Sequence, residues 1–448
     1  MHMIEETRAS KRLEIAVVGS GIAGLSAAWL LARRHNVTVY EIDRRLGGHS
    51  NTVLAPTGGA SIPVDTGFIV YNEATYPNLT ALFRHLGVET EATDMSFSVS
   101  IDGGRLEYAG SDLAGLFAQP TNILRPRFYA MVADLLRFYR QAPRDIGRLD
   151  GMTLAAYLDA NRYGRAFRED HLYPMAAAIW STPAADVGAY PAEAFIRFCD
   201  NHGLLNLRGR PQWRTVKGGS RAYVSQLTEP LKGRVMLGRD VRIVERSAAG
   251  VVIEDGASQR RFDKVLVACH ADQALGVVKA PTEAERHVLS ALRYSRNRAV
   301  LHGDPCLMPE RRAAWSAWNY LATSDRSSGP SVTYWMNRLQ HIDPAIPLFV
   351  TLNPFVEPRR DRVYCEFAYD HPLFDQPAIE AQKELWSLQG VGNVWYAGAY
   401  FGVGFHEDGL QAGLAAAEAM GDVRRPWHVR DESGRIHIGP RLWGEVAA

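Results

Sequence analysis

Lysine is scarce in this chain: only six of the 50 lysines and arginines among its 448 residues are lysine, at positions 11, 217, 232, 264, 279 and 383. Cysteine is scarcer still. Cys199, Cys269, Cys306 and Cys365 stand far apart with no C-x-x-C, which excludes a disulfide framework and points to reduced, structural thiols in a cytoplasmic protein. No run of 18 or more apolar residues occurs, so a membrane-spanning helix is not expected. The N-terminus, MHMIEETRASKRLE, lacks the apolar core of a secretory leader. Net charge is also missing: 50 basic against 49 acidic residues give +1, too little to recruit nucleic acid by a global field. Neither an internal repeat nor a low-complexity tract is present.

The length allows two domains with full cores. Near the start, IAVVGSGIAGLSAAWLLARR reads as a buried parallel strand (Leu13 to Val18), a glycine turn and a helix. Gly19 permits the tight turn, Gly21 lets backbone approach a pyrophosphate, and Gly24 lets helix pack on strand. Ser20, Ile22 and Ala23 complete a helix N-terminus suited to phosphate. A second strand runs from Val37 to Ile42. Glu41 lies 22 residues after Gly19, where a carboxylate accepts from a ribose diol and repels a 2′-phosphate. By itself this leaves NAD and FAD open and disfavours NADP.

The segment Arg44-Arg45-Leu46-Gly47-Gly48-His49 resembles the arginine–x–glycine–glycine stretch of FAD-dependent amine oxidases and phytoene-desaturase-like enzymes. VDTGFIVYN, with Gly67, Phe68 and Ile69, is similar to the same families' next flavin contact. Some 350 residues after the first fingerprint, VWYAGAYFGVGFHEDGLQAG resembles their C-terminal flavin-binding block, matching at Gly398, Gly404, Glu407 and Gly413, and implies FAD contacts from Gly398, Ala399, His406, Glu407 and Leu410. It departs from the pattern at Ala399 and Asp408. The resemblance also places KGGS (Lys217 to Ser220) and VMLGRDVRIVER on the adenine side, with the backbone of Val241 bonding the base. It implies FAD, held non-covalently because AYFGVGF offers no cysteine, and no metal. The expected fold class is α/β, a Rossmann-type, amine-oxidase-like FAD-binding domain with a mixed α+β substrate domain. Residues 1–72, 211–290 and 391–420 form the discontinuous FAD-binding part, 73–210 and 291–390 the substrate part, and 421–448 a C-terminal tail.

The segments between carry aromatics but no portable catalytic motif. In PRFYAMVADLLRFYRQ, the side chains of Phe128, Met131, Val132, Leu135, Leu136 and Tyr139 share one helical face ringed by arginines. That pattern fits either a helix on an anionic membrane surface, through 126–140, or a helix buried on one side. Amine oxidases commonly set a lysine opposite the flavin, yet TYWMNRLQ holds none. Spread along the whole chain, GFIVYNEATYPNL, PMAAAIWSTP, FCDNHGLL and GFHEDGLQAG are similar to a bacterial group of FAD-dependent oxidoreductases that includes desaturases of methyl-branched fatty acyl groups. That resemblance implies a lipid acyl substrate, hydride transfer to the flavin, peripheral contact with the inner membrane face and no nucleic-acid partner. Homo-oligomers are compatible with it. Tyr71, Asn337 and Tyr400 are the catalytic candidates. A soluble amine oxidase and a flavin-holding subunit that binds lipid or a partner without turnover are the alternatives.

Overall fold

The computed structural model describes residues 11–57, 59–149, 151–180, 187–206, 209–323 and 330–439. The first ten residues of the polar N-terminus, Ser181–Pro183 of the PMAAAIWSTP segment and the last nine residues of the tail lie outside that set. Two compact units divide the chain: 1–48, 224–290 and 382–448 form one, and 49–223 and 291–381 the other.

The first unit is built on a five-stranded parallel sheet in the order Val235–Leu237, Asn36–Glu41, Glu14–Val18, Lys264–Val267, Val394–Tyr396. Ile15, Ala16, Val17, Val265, Leu266 and Val267 are fully buried, as strands covered on both faces require. The helix Ile22–Leu31 has no solvent side; all ten of its residues are buried. It packs against His406–Gly421, and small residues set how closely. A Cβ on Gly413 would lie 2.2 Å from the Ala23 carbonyl oxygen, and one on Gly421 would lie 2.3 Å from Leu31 Cδ2. Positions 409, 413, 417 and 421 read Gly, Gly, Ala, Gly, one stripe at four-residue spacing. A separate antiparallel sheet, Arg242–Ser247, Gly250–Glu254 and Gln259–Phe262, leads directly into the strand Lys264–Val267. The tail belongs to this unit: Arg425, fully buried, holds Glu418 at 2.8 Å, and Trp427 stacks on Trp29 at 6.0 Å.

The second unit is centred on a seven-stranded sheet in the order Val363–Pro372, Tyr294–His302, Phe349–Leu352, Ser331–Trp335, Trp318–Ala322, Phe97–Ile101, Leu106–Ala109. Only Trp318–Ala322 and Phe97–Ile101 run parallel within it. One side of its core joins Ala55, Val64 and Ile69 to Leu301, Met336, Leu348 and Val350. This explains why residues 49–72 fall here and not with the nucleotide-binding sequence. The hairpin Thr52–Thr57/Ala60–Asp65 contributes to that core, while Val70–Asn72 pairs with Trp213–Val216 and draws 211–223 along.

Helix Pro126–Asp145 bears on the two readings of its apolar face. Phe128, Met131, Phe138, Tyr139 and Ala142 are buried. Phe138 packs on Phe167 and Tyr163, and Tyr139 lies against His171. Much of the apolar face of 126–140 is therefore packed inside the protein, with Val132, Leu135 and Leu136 half-buried at its margin. Among the described residues no helix is long and apolar enough to cross a membrane.

Candidate functional site

Within the first unit the glycine turn has the geometry its residues dictate. Gly19 sits at φ +102°, donates to Tyr40 O at 2.8 Å, and has no room for a Cβ, which would stand 2.7 Å from Ala268 O. A Cβ on Gly24 would lie 2.0 Å from Gly19 O. Gly21 is different: a Cβ there would meet nothing within 4 Å. Its glycine keeps clear the approach to the N-terminus of Ile22–Leu31, where no side chain caps the helix and no acid stands in the first turn. Uncapped N–H groups behind an open backbone are what a pyrophosphate needs, so the residues present fit an FAD diphosphate.

Glu41 performs more than one task. Its Oε2 accepts from Ser20 N at 2.8 Å and Ser20 Oγ at 2.5 Å, and its Oε1 accepts from Asp43 N at 2.9 Å. Three of about four acceptor positions therefore hold the turn, and one remains on Oε1 for a ribose hydroxyl. Gly47 N donates to Ser20 O at 3.1 Å, and a Cβ on Gly48 would sit 3.1 Å from Gly21 Cα. Arg45 is tied back to Gly48 O at 2.8 Å, whereas Arg44 is exposed and Ile42 is 65 % exposed. Val241 is buried beside Arg239, whose N–H reaches Glu41 O at 2.9 Å.

The C-terminal loop belongs to the same unit. Gly398 is obligatory because a Cβ would lie 2.3 Å from Tyr400 Cε1. Gln382 Nε2 fastens the loop by donating to Tyr400 O at 3.0 Å and Gly402 O at 2.5 Å. Ala399 follows Gly398 and stands against Gly409 of the closing helix, whose Leu410 is fully buried. At its start, burial pushes the His406 imidazole down to about 3, so it is neutral at working pH. Glu407 is buried and accepts from Gln411 Nε2 at 2.9 Å. Asp408, the departure from the family pattern, has a partner: Arg435 Nε lies 2.6 Å from Oδ1, while Phe405 N donates to Oδ2 at 2.8 Å. Burial raises the Asp408 carboxyl above the usual range, and Arg435 pulls against that.

The chain matches the family model described as flavin containing amine oxidoreductase over residues 22–300. It belongs to that family. The cofactor is FAD, and the protein is an FAD-dependent oxidoreductase. Amine oxidase [flavin-containing] A of Equus caballus is 22% identical over 475 residues, spanning 92% of this chain and 85% of that one. Carotenoid phi-ring synthase of Chlorobaculum tepidum is 26% identical over 323 residues, 67% of this chain and 46% of that one. In fold, cyclohexylamine oxidase from Brevibacterium oxydans aligns at a TM-score of 0.65 with 17% identity, covering 92% of this chain and 99% of that one.

In the second unit of this flavoenzyme, His49, Gly67, Phe68 and Ile69 are brought together. Phe68 N donates to His49 O at 2.7 Å, and a Cβ on Gly67 would stand 2.2 Å from that oxygen. KGGS also lies in this unit: Ser220 N and Oγ donate to Asp65 at 2.9 and 2.7 Å. Burial pushes the Asp65 carboxyl up to about 6 against the pull of its Thr52 and Ser220 donors.

Two of the three catalytic candidates are used structurally. Tyr71 is buried, packed edge-on against Tyr76 and Phe83, with its hydroxyl 3.3 Å from Thr90 Oγ1. Asn337 spends its amide on the loop that follows: Nδ2 donates to Asp343 O and Ile346 O at 2.8 and 2.7 Å, and Oδ1 accepts from Leu348 N at 2.8 Å. Tyr400, in the first unit, supplies the ring that dictates Gly398.

Sequence reasoning missed a polar cluster around His49. The His49 ring lies 5.0 Å from Tyr369 and 5.8 Å from His371, centre to centre. Tyr369 Oη sits between Asn51 Nδ2 at 2.9 Å and Thr66 Oγ1 at 2.8 Å. Asn297 orients His371. Its Oδ1 accepts from Asn353 at 2.7 Å, its Nδ2 donates to Ser295 O at 3.0 Å, and the same Nδ2 faces His371 Nδ1 at 3.3 Å. Because an amide nitrogen only donates, this contact fits an Nδ1 that accepts. The alternation Phe367, Tyr369, His371 along FAYDHP is the sequence signal that such a face existed.

Proposed function

We propose that this oxidoreductase dehydrogenates an acyl chain, a methyl-branched unsaturated fatty acyl group of a membrane phospholipid. The observation that carries the reading is where the lysines stand. The second unit contains one, Lys217, whose side chain is 64% exposed and lies 3.1 Å from Glu89. An amine base held inside that unit is therefore not part of its chemistry. The substrate class it suits is one whose hydrogens leave carbon without prior deprotonation of a substrate amine. By its name the phi-ring synthase relative works on a carotenoid, an apolar chain, which supports the same direction.

Bound FAD supplies a two-electron acceptor able to take a hydride from carbon. The chain's own residues have the remaining work. Removing two hydrogens from adjacent or conjugated carbons also releases a proton, and an imidazole suits that step. His371, with Nδ1 engaged by Asn297, presents an N–H donor and serves orientation. His49, which follows the glycine pair directly in the chain, is the group we assign to accept the proton. Packing by Tyr369 and the buried Asn51 and Thr66 holds its surroundings in one arrangement.

Anaerobic mixing of the holoprotein with vesicles of a methyl-branched unsaturated phospholipid tests the reading. Bleaching of the visible flavin band together with a new conjugated diene is expected. Bleaching by primary amines and not by lipid would overturn it in favour of amine oxidation, the activity named in most of the relatives.

A further inference from the structure

We propose that residues 113–129, with the outer face of the helix that follows, form a docking surface for an anionic lipid bilayer. This extends the acyl-chain reading, since such a substrate resides in a bilayer, but it rests on different residues from those of the chemistry. It is also the opposite surface from the amphipathic face that periodicity picks out.

Four of the ten strongly exposed large apolar side chains among the described residues fall in this one stretch: Leu113 at 74%, Ile123 at 52%, Leu124 at 82% and Tyr129 at 48%. Leu124 and Leu113 are the two most exposed of all ten. They are held as a platform. Tyr129 Oη donates to Ile123 O at 3.0 Å, Arg125 ties the turn to Arg105 O at 2.6 Å, and Phe117 packs on Phe128 at 5.8 Å. Apolar side chains exposed together in one stretch of chain mark a surface that is covered in use.

The charges beside the platform say what covers it. From Asp112 to Leu149 the exposed charged residues are Asp112, which accepts from Gly115 N, and the basic Arg127, Arg140, Arg144 and Arg148. The acids Asp134 and Asp145 are turned in, bonded to Gly164 N and to the Tyr157 hydroxyl. Arg127 is matched by Glu169 and Asp170, whereas Arg140, Arg144 and Arg148 form no ion pair among the described residues. Along the outer face of Pro126–Asp145 the surface changes from Tyr129, Ala130 and Ala133 to Arg140 and Arg144. At 1.5 Å per residue that gradient spans about 22 Å. Apolar side chains entering the acyl boundary with guanidinium groups at headgroup level is how a protein lies on an anionic membrane.

Flotation of the FAD-loaded protein with phosphatidylglycerol-containing and pure phosphatidylcholine vesicles reads this directly. The wild type should float with the anionic vesicles and weakly or not at all with the neutral ones. Leu124→Glu should lower the partition at least about tenfold, and the pair Arg140→Glu and Arg144→Glu should abolish the preference for anionic lipid. Leu54→Glu, which changes an exposed leucine elsewhere, should float as wild type. Flavin absorbance and circular dichroism confirm that each variant is folded. Equal flotation of wild type and Leu124→Glu would overturn the proposal, as would absence of flotation. A switch from dimer to monomer in Leu124→Glu without lipid binding would reassign the patch to a second copy. The two readings separate cleanly: vesicle binding without oxidation of any acyl lipid would sink only the function, and oxidation of detergent-dispersed lipid without vesicle binding only the surface.

Discussion

Replacing Asp65 by asparagine should change the pH dependence of stability in a calculable way. The carboxyl is 1% exposed, and burial raises it to about 6 from the ordinary 3.8. A carboxyl whose folded value is raised binds more protons folded than unfolded. Its contribution is therefore fully present below about 3.8, falls as pH rises, and is gone above about 6. The complete fall corresponds to about 3 kcal/mol. About 1 kcal/mol of it has been lost by pH 4.5 and all of it by pH 7.5, so about 2 kcal/mol separates those two conditions. The amide introduced by Asp65→Asn does not titrate. It keeps an acceptor for Ser220 N but sets its own NH2 against Gln340 Nε2, which lies 3.2 Å from Oδ2. That clash is a constant, independent of pH. Urea unfolding of both proteins at pH 4.5 and 7.5, monitored by a probe in the second unit, isolates the variable part. The variant should gain about 2 kcal/mol relative to wild type between the two conditions. Parallel curves, with a difference constant within about 0.5 kcal/mol, would refute the burial argument.

Three other perturbations follow from the geometry. Glu41→Ala releases Ser20 and Asp43 as well as the ribose acceptor, and should weaken FAD at least tenfold in a fluorescence titration, equal to about 1.4 kcal/mol or more. Asp408→Ala removes the carboxylate that pairs with the largely buried Arg435 guanidinium and accepts from Phe405 N. Stability of the first unit should fall by about 3 kcal/mol, and trypsin should reach the segment 422–439 sooner. His49→Gln should lower turnover by about a hundredfold or more, with FAD affinity retained. Loss of FAD with unchanged single-turnover rate would instead make His49 a cofactor contact.

What could be read without coordinates was local. The strand expected over 13–18 is Glu14–Val18 and that expected over 37–42 is Asn36–Glu41, because a glycine turn between buried strands leaves little freedom. Assignments that needed distant partners were not legible in the same way. The side of 126–145 that is apolar follows from periodicity, but whether lipid or Phe167 covers it depends on residues thirty positions away. The cluster of His49, Asn297, Tyr369 and His371 is assembled from three segments up to about 320 residues apart, and no spacing rule links them. Asp408 read as a lapse from the family pattern until Arg435 supplied its partner.

The stripe at 409, 413 and 421 has a consequence for how the protein is made. Ala23 cannot find Gly413 until the ribosome has added another 390 residues. At about 5–20 residues per second that interval is roughly 20–80 s. Throughout it, the first strand and helix carry a largely apolar surface with no lid. The dinucleotide turn, although encoded first, becomes a finished binding site only in the last moments of synthesis. FAD loading is thus a late event, and any truncation before residue 421 strands the N-terminal half as an aggregation-prone fragment.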